Sequence, residues 1–74
     1  MNREELAEFI KTLVAEHRSD SKAWANHELV DFLEAMAAWV EDMDGYYVNC
    51  GEDPPEMPSW RTFADILAAA RSYE

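Results

Sequence analysis

"NHELVDFLEAMAAWVEDMDG", residues 26–45, decides the fold because it carries the most regular apolar pattern of the chain. Apolar side chains recur at steps of three and four residues, which is the spacing of one face of an α-helix. We therefore predict a helix over about residues 27–43, with Asn26 as its N-cap and Gly45 as its C-terminal stop. The apolar stripe consists of Leu29, Phe32, Leu33, Met36, Val40 and Met43, with Trp39 at one edge and Val30 and Ala37 at the other.

Two further helices are predicted, one on each side of this segment. Residues 3–17 repeat apolar side chains at the same spacing, and Asn2 followed by Glu5 is the pattern of a capping box. Residues 59–73 follow Pro58 and carry a wide apolar face, which indicates contact with both other helices. The prediction is a single domain over residues 1–74, an all-α three-helix bundle with a long aromatic, proline-containing loop over residues 45–58.

The predicted loop, residues 45–58, makes up most of the segment "GYYVNCGEDPPEMPSW", residues 45–60. A connection of this length in a small domain is usually functional or packed by its own side chains. Tyr46 and Tyr47 are adjacent, so on an extended backbone only one of them faces inward. We expect Trp60, Met57 and one tyrosine to hold the loop against the helices, and the other tyrosine to face outward among acidic residues.

The charge of the chain is strongly negative. It has 74 residues, 49% of them apolar, and a formal net charge of -10, with no Lys or Arg between Lys22 and Arg61. Such a field repels nucleic-acid phosphates and anionic membranes and favours a basic protein partner, although acidity also serves solubility. No secretory signal or membrane-spanning apolar run is seen, and we expect a cytoplasmic location.

Catalytic patterns are missing from the sequence. No Ser-His-Asp motif or Gly-rich phosphate loop occurs, and the only cysteine, Cys50, precedes acidic residues that disfavour its thiolate. We therefore expect no enzymatic activity, no catalytic residue, no cofactor and no metal site. An alternative is a metal-ion or small-ligand binding protein that uses the acids near residues 41–45, or the helix face that carries His27, Asp31 and Glu34.

Residues 24–74 also carry a recognisable pattern of short motifs. The motifs are W-x-N at Trp24, FLEA at Phe32 with a later A-W, DGYY at Asp44, and PSW at Pro58 with F-A after it. This pattern resembles a family of small acidic bacterial proteins known only as a domain of unknown function. The resemblance implies no activity, cofactor or site residue.

The functional hypothesis is a small, non-enzymatic protein-protein interaction module that binds a basic partner, either immunity- or antitoxin-like or a regulatory adaptor. Acidic clusters speed association with a basic target, and a few aromatic side chains supply affinity. A homodimer is a further hypothesis, with Ala35 and Ala38 allowing two helices to approach closely. The candidate partner-binding residues are Asp42, Asp44, Tyr46, Tyr47, Glu52 and Asp53.

Overall fold

The computed structural model describes residues 1–54 and 56–73 and confirms the all-α fold class, with no strand in these ranges. Pro55, in the predicted loop, and Glu74, at the end of the predicted domain, lie outside the described residues. Within the described ranges, none of the helices has the length and apolar character needed to cross a membrane. The elements are α1 (Arg3–Ser19), a 3-10 turn (Ser21–Ala23), α2 (Leu29–Asn49) and α3 (Trp60–Ala70).

Helix α1 begins as its sequence predicts. The side chain of Asn2 accepts a hydrogen bond from the backbone N–H of Glu5 at 2.8 Å, and Glu5 accepts one from the backbone N–H of Asn2 at 3.0 Å. This reciprocal capping box satisfies two N–H groups that have no partner inside the helix. The helix ends at Ser19, two residues beyond the predicted end.

Helix α2 runs six residues further than predicted, because Gly45 does not end it. A glycine inside a helix costs only about 1 kcal/mol relative to alanine. The apolar spacing continues past Gly45 to Tyr47, whose burial outweighs that cost. The glycine beyond the end is Gly51, whose φ of 75° lies in the left-handed region that favours glycine.

The prediction that Asn26 caps α2 is also wrong. Helix α2 starts at Leu29, and Glu28 occupies the N-cap position without a side-chain hydrogen bond to the helix. Asn26 instead caps the end of α3: its Nδ2 donates to the carbonyls of Ala70 at 3.1 Å and Tyr73 at 2.8 Å. Its backbone N–H donates to a third carbonyl in the same turn, at 3.0 Å. Asn26 therefore bonds to residues far away in the sequence, although its residue type is also suited to capping the helix that follows it.

Helix α3 has Ser59 as its N-cap and is shorter than predicted, ending at Ala70 rather than at residue 73. The Ser59 hydroxyl accepts from the backbone N–H of Thr62, and the Thr62 hydroxyl accepts from that of Ser59, both at 3.1 Å. The backbone N–H groups of Ser59 and Thr62 therefore both have hydrogen-bond partners, although Thr62 is buried.

Helix α3 is the central element, as its wide apolar face predicts. It packs against α1 and, antiparallel, against α2, whereas no described residues of α1 and α2 bring their Cα atoms within 8 Å of each other. The bundle is therefore open between α1 and α2. The core on the α2 side is built from Trp39, Tyr47 and Ile66, with Met36, Met43, Ala69 and Tyr73 partly buried around them.

Candidate functional site

Four of the six predicted site residues meet in one cleft. The cleft has a volume of about 630 Å³ and lies where the last turn of α2 faces the first turns of α3. Among the residues that line it are Tyr46, Tyr47, Glu52 and Asp53. We call this feature the acidic cleft.

The two adjacent tyrosines lie in different environments, and Tyr47 is the buried one. Consecutive residues of a helix point about 100° apart, so only one can face the core. Tyr47 is 7% exposed and packs against Trp39 and Ile66, while Tyr46 is 48% exposed. The rings of Tyr46 and Tyr47 contact each other edge to face, with centroids 5.1 Å apart. The exposed ring of Tyr46 is therefore held by packing but remains accessible from the cleft.

Asp65 of α3 is a cleft residue that the sequence did not reveal. Its Oδ2 accepts a hydrogen bond from the Tyr47 hydroxyl at 2.9 Å, and its Oδ1 accepts one from Arg61 Nε at 3.2 Å. The Arg61 side chain is itself largely exposed, so this ion pair stabilises little by itself. Only the antiparallel packing of α2 and α3 brings Asp65 to Tyr47, and the i,i+4 spacing to Arg61 was its one local signal.

The pKa values of both tyrosines report the negative potential of the cleft. Burial raises the pKa of Tyr47 to about 12, and the hydrogen bond to Asp65 and the charges of Asp65, Tyr46 and Glu52 act in the same direction. The pKa of Tyr46 is also raised, first by its electrostatic interaction with Cys50 and then by burial, Asp65 and Glu52. The cleft resists a further negative charge and would attract a positive one.

The other two predicted residues lie outside the acidic cleft. Asp42 accepts a hydrogen bond from the Tyr73 hydroxyl, which raises the pKa of that tyrosine. Asp44 is exposed on α2. The six predicted residues therefore divide into four that surround one cleft and two that do not.

The predicted anchors of the second connection do not hold it. Met57 is 83% exposed and Trp60 is 44% exposed, with its ring against that of Phe63 at 6.4 Å. Trp39 is buried in the core between α2 and α3. The third expected anchor, one of the two tyrosines, is buried as Tyr47, but it lies within α2, and its backbone carbonyl accepts a hydrogen bond from the backbone N–H of Glu52 at 2.9 Å.

A polar junction at the opposite end of the molecule ties the first connection to α1 and α3. One oxygen of Glu16 accepts hydrogen bonds from Trp24 Nε1 at 2.7 Å and from Arg71 Nη1 at 2.9 Å. These two donors, Arg71 first, lower the pKa of Glu16. His17 bonds through Nε2 to the His27 carbonyl at 2.8 Å and packs edge to face on Trp24. We call this feature the polar junction, and its groups are used in holding the fold together.

Groups of three or more His, Cys, Asp or Glu side chains placed to hold a metal ion do not occur in residues 1–54 and 56–73. The acids near residues 41–45 and the helix face with His27 are thus left without a ligand set in that part of the chain. Cys50 is exposed and lines the acidic cleft with Glu52 and Asp53.

Comparison with known proteins gives a family and no activity. No curated protein and no solved structure is similar enough to the chain to be matched. The profile of DUF7660, described as a family of unknown function, matches residues 2–74, which extends the resemblance seen over residues 24–74 to nearly the whole chain. The chain belongs to this family of unknown function, DUF7660.

Proposed function

We propose that the protein is a non-enzymatic interaction module that binds a basic protein partner through the acidic cleft. The observation that carries this proposal is the exposed side chain of Tyr46 in a cleft that is also lined by the acidic residues Glu52, Asp53 and Asp65. An aromatic face next to carboxylates is the environment in which a cationic side chain gains both cation–π attraction and charge-assisted hydrogen bonds.

Arginine is the cation that suits this cleft best. Its planar guanidinium group stacks on an aromatic ring and donates two parallel hydrogen bonds to a carboxylate, whereas lysine presents a point charge. Asp65 and Glu52 contribute to the raised pKa values of both Tyr46 and Tyr47, and these two carboxylates support a cation, because negative charges that disfavour tyrosinate favour guanidinium. The partner is therefore expected to present an exposed arginine, as a toxin, a regulated enzyme or another basic target would for an immunity-like, antitoxin-like or adaptor protein.

The net charge of -10 supplies the second part of the mechanism. A negative protein draws a basic partner towards it over distances of about the Debye length, about 8 Å at physiological salt, and so raises the association rate. The acidic cleft then determines where the partner docks. Association is expected to slow as salt concentration rises.

A direct test uses an arginine-rich peptide as probe, with a lysine-rich peptide of the same length for comparison. Binding to the wild-type protein is measured calorimetrically at several salt concentrations. The variant Glu52→Gln/Asp53→Asn is expected to bind the arginine peptide about tenfold more weakly, because two carboxylates of the cleft lose their charge.

The matched control is Asp42→Asn/Asp44→Asn, which changes the net charge equally but lies outside the cleft. It is expected to weaken binding less, through the loss of long-range attraction alone. Equal effects of the two variants, or no preference for arginine over lysine, would contradict docking at the acidic cleft.

A further inference from the structure

Helix α2 has an apolar face that the fold leaves exposed. The sequence pattern predicts one continuous stripe for the core, but only part of it is buried. Trp39 and Tyr47, with Met36 and Met43 beside them, pack on α3. The other side of the stripe faces solvent, and its large members are Leu29, Val30, Leu33 and Val40. Contiguous exposed apolar surface on a small protein is typical of an interaction site.

Helix α1 carries a smaller exposed apolar pair on the open side of the bundle. Ile10 and Val14 are exposed and line a groove of about 350 Å³ whose other walls include Phe32 and Leu67. Arg18 lines the same groove. Lys11 and Arg18 also lie together around a neighbouring hollow that includes Val14. The apolar pair of α1 is therefore bordered by two basic side chains, of which Lys11 pairs with Glu8 of the same helix at 3.3 Å in an exposed contact that a partner's carboxylate would replace.

The exposed faces of α1 and α2 repeat one pattern with the charges inverted. In each helix an apolar residue at position i is followed by a charged residue at i+1, by an apolar residue at i+4 and by a second residue of the same charge at i+8. The two charges of each helix are seven residues apart, which places them about 10.5 Å apart along the axis. The two sets, all exposed, are Ile10, Lys11, Val14 and Arg18 on α1, and Leu33, Glu34, Ala37 and Glu41 on α2.

We propose that these faces join two copies of this chain in a two-fold symmetric dimer, α1 of each copy lying along α2 of the other. A two-fold interface places each contact twice, so a basic face and an acidic face on one chain satisfy each other in both directions. The equal spacing lets both charges of one helix meet both charges of its partner, while the apolar residues between them become buried.

Other pairings of the same surface are less favourable. Two copies of α2 placed together would oppose Glu34 and Glu41 of one chain to the same acids of the other, and like charges across a helix interface are repulsive. The net negative charge of each copy opposes any dimer, but salt screens it beyond about 8 Å. The proposed contact between α1 of one copy and α2 of the other places opposite charges next to each other. The earlier basis for a dimer does not hold, because Ala35 is buried inside the fold.

The test is a charge-swap experiment read by sedimentation velocity over a range of protein concentrations. Wild-type protein is expected to be a dimer. Lys11→Glu/Arg18→Glu makes both faces acidic, and Glu34→Lys/Glu41→Lys makes both faces basic. Each variant alone is expected to dissociate with a dimer Kd raised about tenfold or more, because every interface ion pair becomes a like-charge pair. Mixed in equal amounts, the two variants are expected to form a heterodimer, since both contacts regain opposite charges.

The matched control is Glu52→Lys/Asp53→Lys, which changes the net charge as much as the α2 variant but lies in the acidic cleft. It is expected to remain a dimer. All the variants alter exposed side chains, and unchanged helical circular dichroism verifies that they fold. A monomeric wild-type protein, variants that stay dimeric alone, or a mixture that stays monomeric would each overturn the proposal. Because the acidic cleft is not part of this interface, a failed dimer would leave arginine binding intact, and the reverse also holds.

Discussion

The two connections between the helices are held in opposite ways. The shorter one, residues 20–28, is fastened by side chains: Trp24 bonds to Glu16, Asn26 caps α3, and the carbonyl of His27 is bonded by His17. In the longer one, residues 50–59, the described hydrogen bonds lie at its two ends, next to Tyr47 and at the Ser59 cap. Among the residues that the structure describes, the second connection, which has the more unusual sequence, has fewer side-chain attachments to the helices than the first.

The difference between the two connections shows which part of a small open bundle needs its own stabilising contacts. Because no Cα atoms of the described residues in α1 and α2 come within 8 Å of each other, the first connection needs its own attachment to both α1 and α3. The polar junction provides that attachment with hydrogen bonds to a carboxylate and to backbone carbonyls, which are stronger when one partner is charged. The second connection joins two helices that already pack together through Trp39, Tyr47 and Ile66, and it needs no such attachment.

The largest expected effect comes from replacing Trp24, which lies in the first connection, and the comparison is with Trp60, the residue of α3 that follows the second connection. Trp24 is 9% exposed and stacks on Phe32 at 5.7 Å, so Trp24→Ala is expected to lower the free energy of unfolding by about 3–5 kcal/mol. Trp60→Ala removes a side chain that is already half in solvent and is expected to cost less than about 1 kcal/mol. Urea denaturation of both variants measures the difference, and similar losses would contradict the comparison.

A smaller effect is expected at Asn26, whose Nδ2 serves two carbonyls of the α3 end. Asn26→Ala is expected to cost about 1–3 kcal/mol, because the carbonyls lose their donor at a part-buried site. Asn26→Asp has the same shape but brings oxygen in place of the donating nitrogen, so it is expected to be at least as destabilising at neutral pH. An aspartate variant as stable as wild type would show that the donor is not needed.

Tyr47, in the last turn of α2 before the second connection, gives a prediction about pH. Its pKa is raised from an ordinary value of about 10 to about 12 in the folded state, so its neutral form stabilises the fold. That stabilisation is complete below pH 10 and is lost as pH rises towards 12. Tyr47→Phe is expected to cost about 1 kcal/mol at neutral pH and to show a shallower alkaline loss of stability than wild type.

Urea midpoints measured across this pH range, with the ultraviolet absorbance of tyrosinate followed in parallel, check this prediction. The decrease of stability with pH is expected to become smaller in the variant but not to disappear, because the pKa values of Tyr46 and Tyr73 are raised as well. An identical pH profile in the variant would show that Tyr47 does not titrate with the fold.

The smallest effect is expected at Met57, the exposed apolar residue of the second connection. Met57→Ala is expected to change the free energy of unfolding by less than about 0.5 kcal/mol, because the side chain has little buried surface to lose. Thermal or urea unfolding next to Trp24→Ala provides the contrast. A loss of several kcal/mol would mean that the second connection is packed after all.

Features that depend on neighbours within four residues were predictable from the sequence. The α1 capping box involves residues three positions apart and appears as predicted. Residue 59 was predicted as the first residue of the third helix, and the structure makes Ser59 its N-cap, one position away. The apolar periodicity of α2 identified the helix although not its end. Such signals are local, so the rest of the fold cannot easily change them.

Features that depend on tertiary packing were not predictable. Asn26 has its partners 44 and 47 positions away, and no local pattern distinguishes such a residue from an N-cap. Glycine often ends a helix, but at Gly45 the burial of Tyr47 outweighs that tendency and the helix continues. At the site, the adjacency of the tyrosines predicted that one is buried, whereas Asp65 joins them only because α2 and α3 pack side by side.

The central position of α3 has a consequence for how the chain folds during its synthesis. Helices α1 and α2 emerge from the ribosome first, yet the element that each of them packs on emerges last. The polar junction likewise stays incomplete until late in synthesis, because Glu16 pairs with Arg71. Until α3 has been made, the apolar faces of α1 and α2 lack the helix on which they pack, so the bundle cannot close before residues 60–70 are synthesised, and in this interval the nascent chain is most exposed to aggregation.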